Sequence, residues 1–351
     1  MAKELKNRRP DCQVIGAPLL TEGLDYTSRG IEIVTTGVIP PSGGFPTMSA
    51  KGFLQDLPYT HRHVRYFRKL RSMRDQIDGL VVVGDIFLLL LGHFALKKKT
   101  VHFSLPKSNY NHPHFRIEEM IFRRYVAKVL TRDALTAEML GKHGVNALYL
   151  GNPIMDDLTP KGIDLGSERL IGILPGSKDD AYPNFSKILK VVDLLGDAEC
   201  ACALSSSLDT DKMAAIASEE GWTCTDGILH KGRKRIRLVK GAFEDVISEA
   251  EVVIGLAGTA NEQAVGLGKP TVSFLGCGPQ TTEKRMTDQE RMLGGSVRYI
   301  GKFPNSVAAE VAILLSNEKE RARRAAIGME RMGSPGASSR VAQFLIEAFG
   351  A

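Results

Sequence analysis

A run of small and polar residues follows directly on the apolar segment Val252–Leu256. The apolar segment predicts a buried strand, and the residues after it predict a helix that begins at once. Free backbone N–H groups and the helix dipole converge at such a junction, so it is suited to bind a phosphate group. Thr259 and Glu262 also fit a capping box, which stabilises a helix without any ligand, and the motif alone leaves both interpretations open. The candidate binding residues of this junction are Gly258, Thr259, Ala260, Asn261, Glu262 and Gln263.

Three more turns of small residues follow predicted strands in the same half of the chain. The candidate residues in them are Gly176, Ser177 and Lys178 after Leu170–Leu174, Gly241 and Phe243 after Arg235–Val239, and Gln280 after Thr271–Leu275. Each turn alone is explained by an ordinary loop or helix start. Together they predict a nucleotide site, because the carboxyl ends of parallel strands share one edge of an open α/β sheet, where ligands bind. Lys178 would neutralise phosphate charge there.

Apolar strands alternate with amphipathic helices along nearly the whole chain of 351 residues. This alternation predicts parallel sheets with helices on both faces, and the length suits two domains. Pro and Gly interrupt the periodicity between Gly151 and Gly166, which marks a boundary. We therefore expect an N-terminal domain over 1–152, a C-terminal domain over 153–335, and a last helix over 336–351 that crosses back to the first domain.

The charge is unevenly distributed between the two halves. Residues 1–150 carry 22 Lys and Arg against 13 Asp and Glu, whereas residues 151–351 carry 24 against 27. The first half should therefore meet an anionic partner, and nucleic acid, a phosphorylated substrate and a membrane surface all fit. The segment His61–Arg74 is basic and amphipathic, which is typical of a helix on anionic lipid or of a solvated helix face. Five cysteines without a CxxC pair favour a reducing, cytoplasmic protein and no metal site.

The sequence LPGSK followed by KGAFEDVISEAEVVIGLAGTANEQAVGLGKP resembles the C-terminal domain of lipid-A-disaccharide synthase. Val81–Asp85 resembles the strand of that family that ends in Gly-x-Asp, Tyr149–Pro153 its interdomain signature, and Met48–Pro58 its loop and helix before the third strand. The closest likeness, over nearly the whole chain, is to the divergent lipid-A-disaccharide synthase-related group. The resemblance implies the GT-B fold: α/β, with two doubly wound Rossmann-like domains whose parallel sheets face each other across a cleft.

The same resemblance implies an inverting, metal-independent glycosyltransferase without a cofactor. It would move a hexosamine-type sugar from a UDP-sugar donor to a lipid or lipid-linked acceptor. The donor diphosphate would lie at Gly258–Asn261 and Gly176–Lys178, and Asp85 would be the general base, although Asp85 also fits a helix N-cap. Nucleic acid is then not a partner, an oligomer stays open, and the protein would be cytoplasmic and peripheral on the inner face of the membrane.

The sequence departs from the family at three points. Lys178 replaces an Arg, which keeps the charge but loses the bidentate fork, and Gln263 stands where the family has a ribose-binding Glu. The family's opening strand and Gly-rich acceptor loop have no counterpart, so we expect the natural polypeptide to begin upstream of Met1 with a strand and a Gly-rich turn. Two alternatives stay open: a UDP-sugar 2-epimerase, and a non-catalytic nucleotide-binding or scaffold protein descended from a transferase.

Overall fold

The computed structural model of the chain describes residues 1–19, 23–37, 60–166 and 169–350. It divides into two compact units, one formed by Met1–Leu150 with Gly336–Ala351 and the other by Gly151–Pro335. The division falls just before the boundary expected at residue 152. The segment Met48–Pro58, part of the family resemblance, lies outside the described residues.

Among its described residues, the first unit has two separate parallel sheets. Its strands are β1 (Ile15–Gly16), β2 (Glu32–Ile33), β3 (Gly79–Val83), β4 (Lys99–Ser104), β5 (Lys128–Thr131) and β6 (Ala147–Leu148). β1 pairs only with β2, and the larger sheet has the order β3-β4-β5-β6. Within the described ranges, no strand pairs with the outer edge of β3. The missing opening strand stays a prediction.

Helices cover both faces of the four-stranded sheet. The helices of the first unit are α1 (Ala2–Arg8), α2 (Leu24–Thr27), α3 (Thr60–Ser72), α4 (Ile86–Leu96), α5 (Arg116–Tyr125), α6 (Ala134–Lys142) and the C-terminal helix Ala337–Phe349. On one face, Val82 packs with Leu89 of α4 and Phe122 of α5. On the other, Val101 belongs to a cluster with Val341 of the C-terminal helix. Alternate residues of each strand therefore face opposite cores, as expected for a parallel sheet buried on both sides.

The second unit is built on one eight-stranded sheet. Its strands are β7 (Ile171–Leu174), β8 (Glu199–Leu204), β9 (Thr223–Thr225), β10 (Ile228–Lys231), β11 (Lys234–Lys240), β12 (Val252–Gly255), β13 (Thr271–Ser273) and β14 (Val297–Tyr299). Their order is β14-β13-β12-β7-β8-β11-β10-β9. The pairs from β14 to β11 are all parallel, whereas the pairs of β11 with β10 and of β10 with β9 are antiparallel.

The strands β9 and β10 were not expected from the sequence. They are joined by Asp226 and Gly227, whose φ angles are 52° and 75°. Two successive residues with positive φ form the type I′ turn, which is favoured in two-residue hairpins. The Asp-Gly pair was the signal for this hairpin, but the strands on each side are short and largely polar.

Seven helices of the described part of this unit surround the sheet: α7 (Ala181–Val192), α8 (Thr210–Glu219), α9 (Phe243–Glu249), α10 (Thr259–Gly266), α11 (Glu283–Leu293), α12 (Pro304–Ser316) and α13 (Glu318–Met332). Every residue of β7 is buried. Ile171 and Ile173 pack in a cluster with Phe185 of α7. Leu174 packs on the opposite face with Val246 of α9. The predicted α/β architecture with parallel sheets is confirmed.

The Asp245 carboxylate of α9 binds the segment Lys161–Ile163, which precedes β7, through hydrogen bonds. Asp245 is buried, and its Oδ1 accepts hydrogen bonds from the backbone N–H groups of Lys161, Gly162 and Ile163 at 2.7, 2.8 and 3.0 Å. Burial opposes ionisation of this group, but the three hydrogen bonds outweigh it and hold the pKa of Asp245 below its ordinary value. The Lys161 ammonium also donates to the Gly241 carbonyl, so the segment braces the turn after β11.

We expect Asp245→Asn to lower the melting temperature at pH 7, because the amide loses the charge that strengthens three hydrogen bonds. A carboxyl whose folded pKa is lowered contributes stability above its unfolded pKa of about 3.9, and this is lost as the pH falls through the folded value. The difference in melting temperature between wild type and variant should therefore shrink below about pH 4. Asp164→Asn, at an exposed position, is the control. A difference that stays constant down to acid pH would contradict this role.

Candidate functional site

The second unit has a topological switch point between β7 and β12. From β7 the chain continues to β8 on one side, and it later returns to β12 on the other side of β7. Connections that leave neighbouring strands in opposite directions open a crevice at the carboxyl edge, where open α/β sheets bind ligands. The two turns that flank this crevice are Pro175–Lys178 and Leu256–Gly258, and Leu256 N donates to Leu174 O at 2.8 Å where they start.

The turn after β7 presents polar groups to solvent. Gly176 has a φ of 115°, which strongly favours glycine, and a Cβ there would lie 3.4 Å from the Leu256 carbonyl oxygen. Ser177 and Lys178 are exposed. The Ser177 carbonyl accepts a hydrogen bond of 2.9 Å from the Ser207 hydroxyl, which holds the backbone of the turn. The Lys178 ammonium and nearby backbone can therefore meet an anion.

The helix α10 begins at the second turn without a side-chain cap. Gly258 is its N-cap residue and Thr259 its first helical residue. The capping box of Thr259 with Glu262 is therefore wrong, because a capping side chain has to precede the first helical residue. Thr259 is exposed and Ala260 partly exposed. The first N–H groups of a helix have no intrahelical acceptor, so those of Thr259 and Ala260 are suited to a phosphate.

Two side chains of this junction point into the protein instead of towards a ligand. Asn261 is fully buried, and its Nδ2 donates to Gly255 O at 3.2 Å and to Gln289 Oε1 at 3.0 Å. Gln289 in turn donates to Gly258 O at 3.0 Å. Asn261 and Gln289 therefore hold the backbone of the turn from its buried side. Gln263 Nε2 donates to Ile154 O at 2.9 Å. Asn261 and Gln263 thus position the junction, and Glu262, which is partly exposed, is the acidic residue beside it.

A buried asparagine joins the turn after β7 to the turn after β13. Asn184 of α7 is fully buried, donates to Pro175 O at 3.1 Å and accepts from Cys277 N at 2.6 Å. Lys187 adds hydrogen bonds to the carbonyls of Leu275 and Gly276 at 3.0 and 3.2 Å. These residues were not predicted from the sequence, although Asn184, a polar residue within the apolar stripe of α7, was a visible signal. Gln280, the candidate in this last turn, is exposed.

The remaining strand-end turns lie at the same edge of the sheet and continue towards β11. Gly241 is exposed with a φ of 69°, and Phe243 is half-buried against the core that holds Leu174 and Val246. The turn after β8 was not predicted as part of the site. In this turn the Ser207 hydroxyl donates to the Ser177 carbonyl and lies 3.1 Å from the Ser205 hydroxyl. Five turns therefore end the adjacent parallel strands β13, β12, β7, β8 and β11 at one edge.

In the first unit, Asp85 follows β3 and is exposed. Its Oδ1 accepts a hydrogen bond of 3.0 Å from Leu88 N, which makes it the N-cap of α4. The N-cap interpretation is confirmed, and the role of general base stays a prediction.

No family model matches the chain. Among curated proteins, it is similar to lipid-A-disaccharide synthase of Solibacter usitatus (strain Ellin6076), with 21% identity over 288 residues that cover 78% of this chain and 69% of the relative. This similarity supports the resemblance found in the sequence motifs: the chain is a divergent relative of lipid-A-disaccharide synthase.

Solved structures agree on the fold. A protein assigned as UDP-N-acetylglucosamine 2-epimerase from Listeria monocytogenes matches with a TM-score of 0.61 at 16% identity, covering 99% of this chain and 93% of its own. The calicheamicin glycosyltransferase CalG4 matches with a TM-score of 0.59 at 15% identity, covering 98% and 93%. The UDP-GlcNAc 2-epimerase from Neisseria meningitidis bound to UDP-GlcNAc matches with a TM-score of 0.57 at 13% identity, covering 98% and 94%. The chain therefore has the GT-B fold of glycosyltransferases and epimerases.

We expect Asn184→Ala to destabilise the protein by about 1–3 kcal/mol, because it leaves the Pro175 carbonyl and the Cys277 N–H without their buried partner. Denaturant unfolding of the variant measures this loss. Asn305→Ala, at an exposed position on α12, is the matched control and should change little. Equal stability of Asn184→Ala and wild type would show that the two turns are held together by other contacts.

Proposed function

We propose that this protein is a glycosyltransferase that moves a hexosamine-type sugar from a UDP-sugar donor to a lipid or lipid-linked acceptor. The observation that carries the proposal is the row of strand-end turns at the switch point of the second unit, with exposed Lys178 and the uncapped start of α10 on its two sides. The similarity to a lipid-A-disaccharide synthase supports a sugar transferred to lipid. The solved neighbour bound to UDP-GlcNAc supports a UDP-sugar as the donor.

In this proposal the donor diphosphate lies between the two flanking turns. The N–H groups of Thr259 and Ala260, the Gly176–Ser177 backbone and the Lys178 ammonium stabilise the charge that develops as the sugar leaves. Glu262 holds the ribose hydroxyl groups in place of Gln263, whose amide is bound to the Ile154 carbonyl.

The base end of the nucleotide reaches the turn of Gly241 and Phe243, and Gln280 lies at the opposite end of the row. The Phe243 ring offers an apolar surface to a pyrimidine, since it is half-buried and its remaining area faces solvent.

The transfer itself is a single displacement with inversion and without a metal. The acceptor hydroxyl oxygen bonds to the anomeric carbon while the bond from that carbon to the diphosphate oxygen breaks, and a general base takes the hydroxyl proton. We assign this base to Asp85, whose carboxylate is exposed at the end of β3. The protein acts in the cytoplasm at the inner face of the membrane, where a lipid acceptor is accessible.

The solved neighbours keep the epimerase alternative open, because epimerases match this chain as well as glycosyltransferases do. Incubation with UDP-N-acetylglucosamine, with and without a lipid extract, separates the possibilities. We expect UDP release only when lipid is present, together with a glycosylated lipid product. Interconversion of the sugar without lipid would indicate an epimerase. Binding of the nucleotide without turnover under both conditions would indicate a non-catalytic descendant.

We expect Lys178→Ala to weaken UDP binding by about 10- to 100-fold, because a hydrogen bond to a charged group contributes roughly 1.5–3 kcal/mol. Thr259→Val should weaken it less, by about 5-fold, since a neutral hydroxyl is lost. Titration calorimetry on the full chain measures both affinities, and Lys284→Ala, on an exposed residue of α11, is the control. Unchanged affinity in both variants, with folded protein, would show that neither the Lys178 ammonium nor the Thr259 hydroxyl contacts the nucleotide.

A further inference from the structure

An inner strand of the first unit, β4, carries polar side chains on one of its two buried faces. Thr100, His102 and Ser104 alternate along β4 and are only 1–3% exposed, whereas Val101 and Phe103 belong to the apolar cluster on the opposite face. Strands buried on both faces of a parallel sheet are ordinarily apolar throughout. Burial of polar groups costs free energy, so a strand that retains them on one face indicates a use for them.

Two buried histidines contact the same aromatic ring of α5. The ring centroids of His102 and His114 each lie 5.3 Å from that of Phe122, which is itself buried. His114 belongs to the loop between β4 and α5 and is 9% exposed, and its Nε2 lies 2.7 Å from the Ser104 hydroxyl. Among the described residues, neither His102 Nδ1 nor His114 Nδ1 has a hydrogen-bond partner. The packing of α5 on β4 therefore depends on two buried imidazoles.

This packing requires neutral imidazoles. Burial, together with the neighbouring His114, lowers the pKa of His102 to about 3, although a hydrogen bond to the Val82 backbone acts in the opposite direction. Protonation would add an N–H at Nδ1, where the described residues offer no acceptor. A buried charge without a partner is costly, so protonation opposes the contact between α5 and β4.

Charged side chains from three segments surround His114. Glu118 and Glu119 of α5 and Asp133, the N-cap of α6, favour the protonated ring, whereas Lys107 opposes it. Burial is the largest effect and lowers the pKa of His114. Each of the three carboxylates also lies within hydrogen-bond distance of another nitrogen, at 2.6–2.8 Å. The side chains that β3, α4 and β5 contribute to the cluster around Phe122 are apolar.

A third histidine lies at the amino end of the same strand face. His93 of α4 is half-buried, and its Nδ1 lies 3.0 Å from the Thr100 hydroxyl. Its ring centroid is 5.1 Å from that of Tyr125, the last residue of α5. Burial lowers the pKa of His93 as well. Because solvent reaches part of this ring, its protonation costs less than that of the two buried histidines.

We propose that His102 and His114 form an acid-sensitive latch, which holds α5 on the sheet at neutral pH and releases it as the pH falls below about 6. The loop of residues 105–115 and the start of α5 follow the carboxyl end of β4, at the edge where open α/β sheets bind ligands. Release of α5 therefore alters that edge of the first unit. The inference goes beyond the proposed function and does not depend on the donor or on turnover.

The pH range follows from the two states of the latch. A histidine whose pKa is lowered in the closed state does not oppose closing above its pKa in the open state, about 6.5. Below that value the open state binds a proton that the closed state excludes, so stability is lost as the pH falls from about 6.5 towards the closed-state pKa. At about pH 5.5 each such histidine shifts the equilibrium towards the open state by about 10-fold.

The test is hydrogen–deuterium exchange of the full chain at about pH 7.5 and about pH 5.5, corrected for intrinsic exchange rates. Peptides from Arg116–Tyr125 report on α5, and peptides from Ala181–Val192 report on α7 of the second unit. We expect the protection of α5 to fall by about 100-fold at the lower pH, about 10-fold for each histidine, and that of α7 by less than about 3-fold. Asp and Glu of ordinary pKa stay ionised at both pH values.

The double variant His102→Gln with His114→Gln removes both titrating groups. Its α5 protection should differ by less than about 3-fold between the two pH values, and each single variant should retain a difference of about 10-fold. Each variant is compared with itself at the two pH values, so a change in overall stability does not mimic the result. The single variants decide the question if the double variant does not fold. His112→Gln, at an exposed position of the same loop, is the matched control and should keep the full difference.

Three results would overturn the latch. They are equal protection of α5 at both pH values in the wild type, an undiminished difference in the His102 and His114 variants, and an equal loss of protection in α7, which would indicate unfolding of the whole chain. Loss of the difference in His143→Gln alone would also overturn it, because the pH effect would then arise from the 2.7 Å contact of His143 with Glu119. The same holds for His93→Gln.

Discussion

The parallel pairing of β12 with β7 determines most of what the second unit can do. It places the end of Val252–Gly255 beside the end of Ile171–Leu174, and the hydrogen bond from Leu256 N to Leu174 O extends the pairing into the turns. Because the strands on the two sides of this pair are reached by connections in opposite directions, the edge opens there. A ligand at this edge meets both turns, although they lie far apart in sequence.

Close packing behind the turns leaves their outer surface free for a ligand. A Cβ at Gly255 would lie 2.0 Å from Asn261 Oδ1, so glycine is needed for the asparagine to pass under the strand end. Asn261, Gln289 and Asn184 then use their amides on backbone groups of the turns. These buried hydrogen bonds set the positions of the backbone N–H groups in advance. A phosphate site of this kind needs little reorganisation on binding, which is the condition for stabilising charge during a reaction.

The sequence predicted the parallel core well because its strands are continuous apolar runs, such as Ile171–Leu174 and Glu199–Leu204, which are buried on both faces. It predicted the row of turns because small residues follow those runs. Prediction from the sequence failed where one local pattern fits two different helix starts. Thr259 and Glu262 match a capping box, but the tertiary position of Gly258, at φ −88° and ψ −93°, makes the glycine the N-cap. The side-chain directions of Asn261 and Gln263 depend on Gln289 and Ile154, which no local pattern connects to them.

A binding site made mainly of backbone amides tolerates wide changes of side chain, since any residue supplies the same N–H group. Proteins that share only 13–16% identity with this chain can accordingly share its fold. If the strand-end turns bind the donor as proposed, they select a class of ligand and leave the choice of reaction to other residues. The first unit has two surface features on neighbouring helices: α3 is strongly basic, and apolar side chains of α3 and α4 are half exposed. A buried core would not tolerate those charges and an aqueous acceptor would not need those rings. Under the function proposed above, a lipid acceptor would account for both features together.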